Sequence, residues 1–260
     1  MIDTHTHLHE PDFDSIREEI ITDMQRKQMT GVLVGTDLDT SRSAIRLAEQ
    51  YPQTFMSSVG IHPHEAEHTT EEDLAKEREL IEESHVQGIG EAGLDYAGHT
   101  TSELKTKQQY LFRHQIDMAR EYGLPLIIHT RDAWEDTYEI LHAHTTSDMP
   151  IVLHCFTGNV EWARRFLDAF PNLMISFSGI VTFRKNVEDI QQAARSVPQD
   201  RMLAETDSPY LAPEPYRGKQ NDTRNLTYVI QKLAELQGVS FSAIDSQLDA
   251  NARTIFGKSK

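Results

Sequence analysis

The 260-residue chain is 38% apolar and sets 25 lysines and arginines against 41 aspartates and glutamates, a net charge of −16. That balance excludes a broad basic groove that neutralises many phosphates, although two divalent ions could reverse the field locally. No apolar run approaches the roughly 20 residues of a membrane helix. No basic segment followed by an apolar one marks a secretory leader, and the single cysteine, Cys155, can form no intrachain disulfide. The expectation is a cytoplasmic monomer of one domain, residues 1–260, with no membrane contact.

Residues 1–7 read as a first strand that ends in His5-Thr6-His7. Residues i and i+2 of a strand share a face, so the two imidazoles can grip one ion. A helix is expected over 14–29, started by Asp14-Ser15, then a strand over 31–36 and a helix over 41–51. The third strand, 54–62, runs into Gly60-Ile61-His62-Pro63-His64. A helix over 71–84 follows, with acids in its first turn. Strand 88–95 carries Glu91, and helix 103–122 stops at Gly123 before Pro125. Strand 124–130 carries His129, and alternation returns Arg131 to the His129 side. Helix 132–143, strand 151–156 with His154, helix 159–170, strand 173–179 and helix 186–196 come next. Strand 202–208 carries Asp207. The irregular stretch 209–223 separates it from closing helices over 225–237 and 241–256.

The eight strands are near-continuous apolar runs, as buried parallel strands are. Eight β–α units predict an α/β fold, a (β/α)8 TIM-type barrel, with an open doubly wound sheet as the alternative. Barrel enzymes place their chemistry where the strands end. His5, His7, Glu91, His129, His154 and Asp207 fall there. Six donors exceed the need of one tetrahedral ion, so a carboxylate bridge between two ions about 3.5–4 Å apart is expected. Glu91 is the candidate bridge, with His5, His7 and Asp207 on one ion and His129 and His154 on the other. The donors suit magnesium, manganese, iron or zinc. The Arg131 fork suits a phosphate or an ion pair with Asp132 or Glu135. His62 is expected near substrate and His64 less so. His9, His68, His85, His99, His114, His142 and His144 are given no role.

The segments Ile2-Asp3-Thr4-His5-Thr6-His7-Leu8, Val59-Gly60-Ile61-His62-Pro63-His64, Ile89-Gly90-Glu91-Ala92-Gly93-Leu94-Asp95-Tyr96, Ile128-His129-Thr130-Arg131-Asp132, Leu153-His154-Cys155-Phe156-Thr157-Gly158 and Glu205-Thr206-Asp207-Ser208-Pro209-Tyr210-Leu211 resemble the TatD family of metal-dependent deoxyribonucleases. The resemblance runs from residue 2 to 257. It implies a TIM-type barrel, the six donors above as ligands, and hydrolysis of nucleic-acid phosphodiesters, commonly 3′→5′ on single strands. Magnesium or manganese would serve turnover, zinc being a further option. Asp207 would orient the activated water and accept its proton, and Glu91 would bridge. Arg131 and His62 would hold phosphate oxygens, and Tyr210 or Phe156 would stack a terminal base. The rivals are an ester or amide hydrolase, such as an aminoacyl-tRNA deacylase, and a non-catalytic binding barrel. One departure is Arg217-Gly218-Lys219-Gln220-Asn221-Asp222-Thr223, where the family carries a basic segment ending Arg-Asn-Glu-Pro; it bears on a substrate loop, not on the metal centre. The segment after Tyr96, Ala97-Gly98-His99, is also poorer in aromatic residues.

Overall fold

The computed structural model describes residues 1–83, 85–98 and 100–257; the expected helix end at 84, the loop histidine His99 and residues 258–260 lie outside it. Eight parallel strands pair in chain order: β1 (Ile2–Thr6), β2 (Thr30–Val34), β3 (Phe55–Val59), β4 (Val86–Asp95), β5 (Leu126–Arg131), β6 (Ile151–Leu153), β7 (Leu173–Phe177) and β8 (Met202–Ala204). The ring closes beyond the end of β8. Ser208 bridges Thr6, the His7 amide donates to Ser208 O at 2.8 Å, and the Asp207 amide donates to His5 O at 2.9 Å. Buried Asp3 adds a latch, accepting from the Thr206 amide at 2.9 Å and the Thr206 hydroxyl at 2.6 Å. The fold is the expected TIM-type barrel.

Helices α1 (Arg17–Arg26), α2 (Leu38–Gln50), α3 (Glu71–Ile81), α4 (Ser102–Tyr122), α5 (Trp134–His144), α6 (Val160–Ala169), α7 (Glu188–Ser196) and α8 (Leu226–Gln237) follow the strands, and α9 (Phe241–Phe256) ends the chain. Two starts differ from expectation by three residues. Asp14-Ser15 caps nothing; α1 begins after Ile16, and Asp14 instead accepts from Arg17. Helix α2 begins three residues early because Asp37 and Thr40 close a capping box. Strand β8 ends at Ala204, not 208, and the chain turns at Asp207, with φ 55°. Among the described residues no helix is long and apolar enough to cross a membrane.

Two apolar layers form the core. Ile2, Val32, Ile127, Val152, Met174 and Leu203 fill the barrel together with Ala252, Ile255 and Phe256 of α9. Asn251 ties α9 to Gln199 O and Met202 O, so this helix plugs the end where the strands begin. The alternate strand residues, such as Leu33, Ile128, Leu153 and Ile175, pack against the helices. Alternation from Ile127 and Val152 then aims His129 and His154 inward, and Asp207 is placed by the turn beyond β8, its amide donating to His5 O. In β1 and β4 alternation alone would fail. The pairing Asp3–Gly31 then Thr6–Leu33 places one extra residue in β1. The pairing Ile89–Leu126 then Ala92–Ile128 does so in β4. Each bulge turns the following side chains, His5 and His7 or Glu91, into the barrel. Gly90 permits the second bulge: its φ is 139°, and a Cβ there would lie 2.5 Å from Ile127 O.

Glu77 of α3 is buried, and neither carboxylate oxygen has a hydrogen-bond partner among the described residues. Burial raises its pKa from 4.5 to about 8. The folded chain therefore keeps a proton that the unfolded chain releases; this stability is complete below about pH 4.5 and is lost as pH rises toward about 8. Glu77→Gln is expected to match the parent near pH 4.5 and to exceed it by about 3 kcal/mol at pH 7, by urea unfolding. A difference that does not change with pH would refute this account.

Candidate metal centre

The end of the barrel where the strands finish brings His5, His7, Glu91, His129, His154 and Asp207 together. His5 Nε2 and His7 Nε2 are 3.2 Å apart. Glu91 Oε2 lies 3.4 Å from His5 Nε2 and 4.0 Å from His7 Nε2. Asp207 Oδ1 lies 3.8 and 3.6 Å from the same two nitrogens. The other oxygen of Glu91, Oε1, lies 2.8 Å from His129 Nδ1 and 3.1 Å from His154 Nε2. Glu91 thus presents one oxygen to each of two donor groups. His62 is nearer than a peripheral residue would be, its Nε2 3.6 Å from Glu91 Oε1.

Three of the rings are held by protein acceptors on their other nitrogens. His7 Nδ1 meets Val34 O at 2.9 Å, His129 Nε2 meets Asp95 Oδ2 at 3.1 Å, and His154 Nδ1 meets Glu205 Oε1 at 3.0 Å. A proton on each of these nitrogens leaves a lone pair on the other, facing Glu91 or the His5–His7 pair. Metal-holding imidazoles are oriented in this way. The electrostatics agree. Burial alone would raise the pKa values of Glu91 and Asp207, yet both are lowered, Glu91 by the charges of His154 and His62 and Asp207 by the His7 hydrogen bond and nearby imidazoles. Burial would depress His7 and His154. Asp207 instead lifts His7 to about 9, and the charges of Glu205 and Glu91 lift His154. Burial and His154 depress His5, and burial takes His62 down to about 3. Ionised buried carboxylates require compensating positive charge, and divalent cations can take the place of the imidazole protons. The donor set therefore fits divalent-metal binding at this cluster.

A cavity of about 790 Å³ opens over this cluster. Arg131, His62 and Tyr210 line it, as the sequence reading expects of substrate contacts. Arg131 makes no ion pair among the described residues, since Glu135 is taken by Arg165. Tyr210 is 57% exposed at the mouth. Phe156 is not available to stack a base: it is 2% exposed, with its ring 5.2 Å from Trp134. His9, given no role, is buried with both ring nitrogens lacking partners among the described residues.

The TatD-related DNase model matches residues 2–257. The chain belongs to that family. It is 39% identical over 257 residues to YabD of Bacillus subtilis, described as an uncharacterized metal-dependent hydrolase, covering 98% of both chains. It is 31% identical over 262 residues to the TatD protein of Pantoea ananatis, described as a 3′-5′ ssDNA/RNA exonuclease, covering 99% of both. The crystal structure of YJJV, a TatD homologue from Escherichia coli, superposes with a TM-score of 0.91 at 26% identity, covering 100% of this chain and 98% of that one. The chain is therefore a TatD-family metal-dependent hydrolase.

Two site residues of this TatD-family chain escape the sequence reading. Asp95 and Glu205 hold His129 and His154, and each lies on the inward alternation of a residue already singled out: Glu91, Gly93, Asp95, and Glu205, Asp207. That period was the available signal. The altered loop is anchored despite its departure, because buried Asn221 donates to Thr206 O at 2.9 Å and its amide donates to Pro209 O at 3.0 Å. Glu205 Oε1 also accepts from the Cys155 amide at 2.6 Å. Glu205→Ala is expected to free the His154 ring and weaken metal binding by roughly 10–100-fold, read by titrating chelator-stripped protein with manganese. Unchanged affinity would exclude a ring-holding role.

Proposed function

We propose that the chain is a metal-dependent 3′→5′ exonuclease that removes nucleotides from the end of single-stranded nucleic acid, with DNA as the first substrate to test. The observation that carries this reading is Arg131: it lines a cavity dominated by carboxylates and imidazoles and makes no ion pair among the described residues. A planar cationic fork in that position matches the non-bridging oxygens of a phosphodiester. A carbonyl substrate would not need it. The exonuclease description of the Pantoea relative supports the same class. A cavity of about 790 Å³ and a net charge of −16 favour a strand end over a long tract of backbone.

In this reading His5, His7 and Asp207 would hold one divalent ion, His129 and His154 would hold a second, and Glu91 would be shared between them. Such ions lower the pKa of water and stabilise charge that develops on the phosphoryl and leaving oxygens. Asp207 orients the attacking water and accepts its proton. Arg131 fixes the phosphate, His62 borders it, and Tyr210 offers its exposed ring to the terminal base.

Protein stripped with chelator and restored with magnesium or manganese is expected to shorten 5′-labelled single-stranded DNA from its 3′ end on a denaturing gel. Glu91→Gln should leave the oligonucleotide intact while still unfolding cooperatively. Full activity in that variant would exclude a shared Glu91. An oligonucleotide left whole with every metal would move the assignment to an ester such as aminoacyl-tRNA.

Arg131→Ala is expected to lower kcat/KM on DNA by about 10–100-fold, the loss of a charge-assisted contact of roughly 1.5–3 kcal/mol. A rate on DNA equal to the parent's would count against a phosphodiester substrate.

A further inference from the structure

Among the described residues His64 is the one imidazole lining the cavity with no nitrogen within 4.0 Å of a Glu91 oxygen, and its ring packs against that of His62, centroids 4.5 Å apart. Its side chain is 63% exposed, and its Nε2 lies 3.1 Å from Asp95 Oδ2. Asp95 is itself buried and fixed, with Oδ1 accepting from the Ala97 amide at 2.9 Å. The same Oδ2 meets His129 Nε2 at 3.1 Å. One carboxylate oxygen therefore orients two rings, one turned toward Glu91 and one bordering the open cavity. Its hold on His64 Nε2 leaves Nδ1 as the nitrogen that can exchange a proton with a solute there. A carboxylate that fixes an imidazole whose second nitrogen serves the reaction is the arrangement of an acid–base histidine.

The proposed reaction leaves a place for such a group. Asp207 takes a proton from water, but an alkoxide must also leave, and it needs a proton. The other cavity groups are poor sources. His7, His129 and His154 turn their other nitrogens toward His5 or Glu91. His62 is already engaged, its Nδ1 accepting from the His64 amide at 3.2 Å and its Nε2 3.6 Å from Glu91 Oε1, and the Cys155 thiol meets the Ser178 hydroxyl at 3.2 Å. The Tyr210 phenol is raised by burial and by Glu10 and Asp12.

We infer that His64, oriented by Asp95, is the general acid that protonates the leaving oxygen; this rests on the phosphodiesterase reading above. The water oxygen forms the new bond to phosphorus while its proton passes to Asp207. The bond from phosphorus to the 3′-oxygen breaks, its electron pair stays on that oxygen, and the Nδ1 proton of His64 joins it. His64 regains a proton from solvent and Asp207 releases one, so water and a diester become an alcohol and a monoester.

The test compares leaving groups. The parent and His64→Ala, both metal-loaded, are given a thymidine dinucleotide and the 4-nitrophenyl ester of thymidine 5′-phosphate. The first must expel an alkoxide; the second expels 4-nitrophenolate, which needs no proton. His64→Ala is expected to lose about 10²–10⁴-fold on the dinucleotide and under about threefold on the nitrophenyl ester. Free imidazole should restore part of the loss, and metal content by mass spectrometry should equal the parent's. Equal losses on both substrates, no loss on either, or a variant that has lost metal would each overturn the role of His64 while leaving the phosphodiesterase reading in place. A parent that cleaves neither compound with any restored metal would overturn both.

Discussion

The burial of one ionised carboxylate organises this molecule. Glu91 lies inside the mouth of the barrel, where an isolated charge would be costly, and it stays ionised because imidazoles surround both of its oxygens. Those imidazoles come from β1, from the end of β5 and from just beyond β6, so the charge ties distant parts of the chain to one point. The rings are tied outward in turn, to Val34 O, Asp95 and Glu205. The centre is thus a set of nested polar contacts, nearly every one of them satisfied.

Such a cluster needs a rigid frame, and the closure of the barrel supplies it. The Asp3–Thr206 latch and the Thr6–Ser208 bridge join the first strand to the segment after the last. His5, His7 and Asp207 sit within this seam, so the contacts that close the ring also set the spacing of three of the six donors. The plug formed by α9 stabilises the opposite end and leaves the chemistry to the end where the strands finish.

The ends of β4 and β5 and the segments beyond β3 and β8 turn this donor cluster into a site. They bring Asp95, Arg131, His64 and Tyr210 around one cavity. The loop after β8 is held by buried Asn221, whose side chain donates to Thr206 O and whose backbone amide donates to Pro209 O.

Much of this was legible in the chain. Apolar runs marked eight strands and amphipathic stretches the helices between them, because a parallel barrel buries both faces of each strand. The donors stood out because imidazoles and carboxylates rarely end buried strands together. Alternation alone decided the aim of His129 and His154. The aim of His5, His7 and Glu91 belonged to the tertiary structure, since each depends on a bulge defined by the neighbouring strand's register. The same holds for Asp95 and Glu205, whose partners lie 34 and 51 residues away, and for Phe156, which aromatic packing withdrew from the cavity. Local pattern determines which residues can do chemistry; only the closed sheet decides which of them meet, because meeting depends on register and packing between segments far apart in the chain.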